Sequence, residues 1–193
     1  MDCSKVGKLI LSLRKERHMT QKALADAMHL SDRTISKWER GLGCPDITLL
    51  PKLSELLGVN IEQILLGELI PNDKDGGNMR KAKFYVCKDC GNVLWSTGEA
   101  EISCCGRKLV ALTLAQEDVE HKAVIEEVED DYYVTIDHPM TKSHFISFVA
   151  YVSYDRVLLI KLYPEQNPEV RFPKMRRGTL YAYCTEHGLR KLK

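Results

Sequence analysis

Cys87-Lys-Asp-Cys90 and Cys104-Cys105 form two thiol pairs with thirteen residues between them, and a glycine, Gly91 or Gly106, stands directly behind each pair. Four thiolates from two short turns can surround one ion tetrahedrally, a donor set suited to iron or zinc. Glycine at those places permits the positive φ that turns backbone N–H groups toward sulfur. Disulfide pairing is the bland alternative. A structural zinc ribbon is the sharper one, although ribbons usually repeat the two-residue spacing and Cys104 and Cys105 are adjacent.

A second group lies later in the chain. Four of the six histidines, His121, His138, His144 and His187, fall after residue 120, and Cys184 precedes His187 by three. Singly, each imidazole reads as an ordinary surface or core histidine. Together they make a five-donor set of four imidazoles and one thiolate. Zinc normally stops at four ligands, so five donors imply a metal that prefers six and keeps one position open to a small molecule. Iron fits best, and the soft Cys184 thiolate would push electron density onto it.

Two kinds of element must carry these groups. Over residues 4–66 the apolar residues recur at three and four, through Val6, Leu9, Ile10, Leu13, then Leu24, Ala25, Met28, then Ile35, Trp38, then Leu49, Leu50, Leu53, Leu56 and Leu57. Thr20 and Ser31 stand as caps before such runs, and Gly41, Gly43 and Gly58 follow them, which predicts five short helices. Residues 71–83 are almost without apolar content and read as a linker. After Phe84 the period becomes two. Segments 133–136, 145–152 and 157–162 read as strands, with Ser153-Tyr-Asp-Arg156 a hairpin turn between the last two.

Charge is distributed unevenly. Residues 1–40 carry nine Lys/Arg against five Asp/Glu, whereas residues 84–193 carry fourteen against sixteen, so the front of the chain suits a phosphate backbone. No apolar run approaches the roughly 18 residues of a membrane helix, and the start has no signal-peptide core. A cytoplasmic protein with no membrane association is expected, in which clustered cysteines are reduced metal ligands. Cys3 and Cys44 belong to neither cluster and are expected to be plain thiols.

The helix from Gln21, the turn at Met28-His-Leu30 and the helix after Ser31 make a helix-turn-helix pattern, in which the second helix enters the major groove. Arg33, Thr34, Ser36 and Lys37 would face DNA while Ile35 and Trp38 face the core, and Gln21 could brace a phosphate or a base. The competing use is a helical bundle kept for pairing alone. His18 and His29 fit surface or cap roles.

Three family resemblances follow from these motifs. Residues 9–66, through Thr20-Gln-Lys-Ala-Leu-Ala, Ser31-Asp-Arg-Thr-Ile-Ser-Lys-Trp-Glu-Arg-Gly and Pro45-Asp-Ile-Thr-Leu-Leu, closely resemble the Cro/lambda-repressor (XRE-type) domain. Residues 84–110 resemble desulforedoxin, which implies that the four-cysteine ion is iron. Residues 117–193, through His138-Pro-Met-Thr-Lys-Ser-His144 and Tyr183-Cys-Thr-Glu-His187-Gly, resemble the superoxide reductase domain, and the order of the two modules is that of desulfoferrodoxin. The implied architecture is a multidomain α plus β chain. It has a helix-turn-helix bundle at 1–70, the linker at 71–83, a small β metal module at 84–116 and an immunoglobulin-like β-sandwich at 117–193.

The resemblance also implies the chemistry. Four equatorial histidines and an axial cysteine would hold iron whose sixth position meets superoxide, giving peroxide. The family places Glu-Lys directly before its first histidine, but here the string is Val119-Glu120-His121-Lys122-Ala123. Lys122 and Glu120, displaced by one or two residues, are the candidates for attracting superoxide and capping the metal, and slowed activity is expected. A redox-sensing regulator is the alternative function. DNA, superoxide, an electron donor such as rubredoxin and a second copy of the chain are the expected partners.

Overall fold

Asp2, Thr20 and Ser31 each end an extended stretch and accept hydrogen bonds from backbone N–H groups ahead of them, so the first three helices start at a side-chain cap. These are α1 (Cys3–Glu16), α2 (Gln21–Met28) and α3 (Asp32–Glu39). A 3-10 turn at Ile47–Leu49 leads into α4 (Leu50–Leu57) and α5 (Ile61–Leu66), closed by Gly58 and Gly67. His29 ends α2 in the left-handed conformation, φ 57°. A computed structural model describes residues 1–72, 77–115, 122–175 and 177–192, and it divides into two units, Met1–Pro71 and Asn72–Lys193.

The first unit buries Val6, Ile10, Leu24, Ile35, Leu50 and Leu53 in one core, the apolar face expected from the three-and-four spacing. Gly7 lets α1 approach α3 closely, because a Cβ there would stand 2.0 Å from the Trp38 carbonyl oxygen. One charged group enters this core. Arg14 donates to both Glu39 carboxylate oxygens, at 2.5 and 3.0 Å, and to the Met19 carbonyl at 2.6 Å. Burial disfavours the Glu39 charge, but hydrogen bonds from Arg14 and Gln21 outweigh it and hold the carboxyl below its ordinary value.

The structure corrects one expectation here. Cys3 and Cys44 are joined by a disulfide, with Cα atoms 5.0 Å apart. The physical reason is the close packing of α1 on α3: the chain leaving α3 turns back over Ser4 at Gly41, where a Cβ would come within 2.9 Å of the Ser4 Cα. Two cysteines remote in sequence are thereby brought within bonding reach.

The second unit is built of strands. Antiparallel β1 (Lys83–Val86) and β2 (Val93–Ser96) form one ribbon, and β3 (Ile102–Cys104) and β4 (Arg107–Leu109) another. A three-stranded sheet contains β5 (Ala123–Val128), β6 (Asp131–Ile136) and β9 (Glu169–Pro173) in the order β5-β6-β9. A four-stranded sheet, ordered β11-β10-β7-β8, contains β7 (Ile146–Val152), β8 (Val157–Lys161), β10 (Thr179–Cys184) and β11 (Gly188–Lys191). The two sheets face each other across Val134, Ile136, Ile146, Val149, Val170 and Phe172, a β-sandwich. The hairpin turn predicted at 153–156 joins β7 to β8, with Ser153 N–H donating to the Arg156 carbonyl.

β7 is buried along its whole length rather than on alternate residues. Its second face, Phe148, Ala150 and Val152, packs with Phe84 of β1 and with Tyr183 and Leu189. The cysteine-bearing ribbon thus shares a core with the sandwich. The polar stretch expected to be a linker is already structured at Met79–Lys81, a 3-10 turn whose Met79 N–H donates to the Tyr154 carbonyl. Among the described residues no helix is long and apolar enough to cross a membrane.

Candidate metal centres and nucleic-acid interface

The β1–β2 ribbon presents Cys87 and Cys90 in its connecting turn, and the second ribbon presents Cys104 at the end of β3 and Cys105 in the turn that follows. Gly91 donates its N–H to the Cys87 carbonyl at 2.8 Å with φ 69°, and Cys105 and Gly106 turn the other ribbon with φ 51° and 74°. Both glycines take the positive φ expected of them, while the Gly91 N–H is directed to a carbonyl and not to a sulfur. Lys161 of β8 donates to the Gly91 carbonyl at 2.9 Å, which fixes the first turn against the sandwich.

The four sulfurs lie within 4.8 Å of one another, and Cys90 and Cys104 Sγ are 3.5 Å apart. An ion bound tetrahedrally through bonds of about 2.3 Å would space its sulfurs about 3.7 Å apart, so the donor set fits a single metal. The thiols respond to one another accordingly. Backbone N–H donation from Cys90 brings the Cys87 thiol down to about 7. Hydrogen bonding to Cys90 and Cys87 pushes Cys105 up to about 12. One thiolate forms easily and the last forms only when a cation compensates it.

The second centre gathers His138, His144, Cys184 and His187, whose donor atoms also lie within 4.8 Å of one another. Each is supplied differently. His138 follows the end of β6 and is buried. Its Nδ1 stands 2.5 Å from the Pro139 carbonyl oxygen, which can only accept, so Nδ1 carries the proton and Nε2 is the metal-facing atom. Burial lowers the His138 pKa, which keeps the ring neutral as a ligand must be. His144 enters β7 with Nε2 3.3 Å from His187 Nδ1, and its own Nδ1 lies 3.7 Å from the Glu186 carboxylate. His187 therefore turns Nδ1, not Nε2, toward the common point.

Cys184 ends β10. Its sulfur is 3.5 Å from His187 Nδ1 and accepts backbone N–H groups from Glu186 and His187, each at 3.4 Å. The three rings stand nearly perpendicular to one another. Centroids are 4.6 Å apart for His138 and His144, 4.7 Å for His144 and His187, and 6.0 Å for His138 and His187. That is close to three corners of a square with His144 in the middle.

His121 and Glu120 lie outside the described residues. Lys122 is exposed at the entrance to β5, and its carbonyl accepts the N–H of Asp137, the residue before His138, at 2.9 Å. Glu186 was not anticipated from sequence, although its place directly before a ligand histidine was the available signal.

On α3, Arg33 and Lys37 are exposed one turn apart, whereas Thr34 and Ser36 are half-buried. Thr34 is drawn into the helix cap, with Oγ1 2.9 Å from Ser31 Oγ. Gln21 is half-buried and spends its amide N–H on Glu39 at 2.7 Å, which orients it at the start of α2. Arg40, also exposed, extends the row of Arg33 and Lys37 at helical spacing and was missed in the sequence.

Residues 10–64 match a family described as helix-turn-helix. A desulfoferrodoxin of Clostridium acetobutylicum is 36% identical over 115 residues, covering 55% of this chain and 92% of that protein. An HTH-type transcriptional activator of Enterococcus faecalis is 32% identical over 77 residues, 38% of each chain. Among solved structures, a superoxide reductase from Treponema pallidum superposes with a TM-score of 0.52 at 24% identity, over 59% of this chain and 99% of that one, a likeness of fold.

Proposed function

The chain belongs to the desulfoferrodoxin family, and from that premise we propose that it is an iron-dependent superoxide reductase carried on one polypeptide with a sequence-specific DNA-binding unit. Iron is the cofactor of both centres. The observation that carries the reading is the convergence of His138, His144, Cys184 and His187 on one point.

The residues divide the work. His138 Nε2, His144 Nε2 and His187 Nδ1 would hold the iron together with the Cys184 sulfur, and His121, which lies outside the described residues, is the fourth imidazole that the family's pattern would supply. Cys184 would supply the thiolate donor, its charge moderated by the N–H groups of Glu186 and His187. Ferrous iron, when bound, supplies the single electron that superoxide accepts. The two protons that complete hydrogen peroxide come from solvent. Lys122, whose backbone is tied beside His138, gives the incoming anion a local positive field, and Glu120, next to His121 in the sequence, is the candidate carboxylate for capping the metal. Arg33 and Lys37 face DNA with Thr34, Ser36 and Gln21 around them. A rubredoxin-type protein is the donor that restores the reduced state, and two copies pair so that two helix-turn-helix units reach two half-sites.

The test is rapid mixing of the reduced protein with superoxide, followed by the absorbance of the second centre. Oxidation of the iron well above the spontaneous loss of superoxide supports the reading, and no acceleration removes it.

A second reading, a redox-sensing transcription regulator, is favoured by the presence of a helix-turn-helix unit on a chain that also holds iron. It predicts different operator affinities for the reduced and oxidised protein at one salt concentration. Equal affinities would exclude it.

A further inference from the structure

The first unit contains an oxidisable pair that neither metal centre uses. Cys3 is the first residue of α1, and Cys44 lies in the loop that leaves the recognition helix α3, so the bond between them ties the start of one helix to the exit of the other. Both are half-buried, within reach of a small solute. We propose that Cys3 and Cys44 form a reversible dithiol–disulfide pair, oxidised by hydrogen peroxide, that sets the affinity of the helix-turn-helix unit for DNA.

Three features carry this. The partners sit 41 residues apart in sequence, and in the linked form their Cα atoms are 5.0 Å apart, within the ordinary range for a disulfide. Gly7 and Gly41 maintain that approach, since a Cβ on either would collide with Trp38 or Ser4 backbone. Cys3 is the first residue of a 14-residue helix, which fixes its sulfur at one end of α1 facing the loop that carries Cys44. The loop, in contrast, is lightly held. Gly41 and Leu42 return N–H bonds to the end of α3, while Gly43 has open space around it. Beyond Leu42 the Cys44 sulfur links the loop covalently to α1.

The chemistry balances. Cys3 thiolate attacks one peroxide oxygen, the O–O bond breaks, and Cys3 becomes a sulfenic acid while hydroxide leaves. Cys44 thiolate then attacks that sulfur, the S–S bond forms and a second hydroxide departs. The protons released by the two thiols convert both hydroxides to water. Two electrons pass from the sulfurs to the peroxide oxygens, and a thiol reductant reverses the change. The oxidant is the product of the reductase proposed above, and in that respect the supply of peroxide rests on that reading. With the disulfide closed, α3 leaves toward its loop in one orientation, and the recognition face binds without first ordering it. The oxidised form is the tighter binder.

The experiment uses the full chain, iron-loaded, reduced anaerobically with dithiothreitol and freed of it. Hydrogen peroxide is added, peptides are mapped without reduction, and affinity is measured for DNA selected from a random pool by the same chain. The expected result is a Cys3–Cys44 link lacking two hydrogens, removed again by dithiothreitol. Operator affinity should be on the order of tenfold higher in the linked form, and the helical melting temperature higher by on the order of 10 °C. C3S and C44S, which retain both metal centres, should lose that response. Cys3 in C44S should stop at a sulfenic acid that dimedone traps. No link after peroxide, a link that dithiothreitol does not open, equal affinities in the two forms, or an unchanged response in C3S would each overturn the proposal. Superoxide is the second arm. If peroxide links the pair but superoxide does so no better in the wild type than in H187A, the switch stands and the reductase reading fails.

Discussion

His144 Nε2 and His187 Nδ1 face each other across 3.3 Å, two nitrogens of different kinds aimed at one point. Cis ligands of an ion bound at about 2.1 Å lie about 3.0 Å apart, so this pair is spaced as neighbours in one coordination square. Replacing His187 with alanine removes one donor from that square and leaves the four cysteines intact. Bound iron should fall by about half, with the absorption of the four-cysteine centre retained, as metal analysis and a spectrum of anaerobically purified protein would report.

Glu186 reaches toward His144 Nδ1 from a half-exposed position at 3.7 Å. Glu186→Gln keeps the shape and removes the charge that orients and enriches the imidazole. Iron affinity at that centre should drop by up to about tenfold, the low end for outer partners of metal ligands. Competition with a chelator measures it, and an unchanged affinity would show that the carboxylate plays no part.

The four-cysteine centre should be pH-dependent in one direction. Cys105 is pushed up to about 12 and is protonated at neutrality in the metal-free protein, while Cys87, at about 7, is half-ionised there. Metal must displace the remaining protons, so affinity rises with pH and acid releases the ion. Loading metal in weak buffer at pH 7 should release protons, detectable with an indicator dye.

Glu39 and Arg14 should govern the acid stability of the first unit. The folded carboxyl lies below its ordinary value, so its contribution is complete above the unfolded carboxylate range and is lost as pH falls through the folded one. Glu39→Ala strands a buried guanidinium and should cost about 3–5 kcal/mol at pH 7. Urea unfolding followed by helical circular dichroism checks the size, and the difference from wild type should shrink toward pH 3.

Lys37 and Arg33 should separate into different DNA roles. Lys37→Ala removes one phosphate neutralisation at most and should reduce the salt slope of operator binding by about one. Arg33→Ala, nearer the start of α3, should relax base preference and cost about 1–3 kcal/mol. Titrations at several salt concentrations distinguish the two.

The helices, three of the strand segments and the donors that the structure gathers were legible in the sequence. Three-and-four spacing with capping Thr20 and Ser31 marks α2 and α3, and the 153–156 turn marks a hairpin, because these features depend on neighbours a few residues away. The cysteine pairs and the Cys184–His187 spacing announce metal chemistry for the same reason. Tertiary structure decided the rest. Both faces of β7 are buried because the cysteine ribbon covers the side that a two-sheet sandwich would leave open, and alternation cannot report a second layer. Nitrogen choice at His138 and His187 follows from the Pro139 carbonyl and the Cys184 turn, contacts set by the folded backbone. Gln21 and Thr34 are turned toward Glu39 and Ser31 by packing and capping. Cys3 and Cys44 look unrelated in the sequence, and they meet because two glycines let α1 and the exit of α3 come close enough for sulfur to bond.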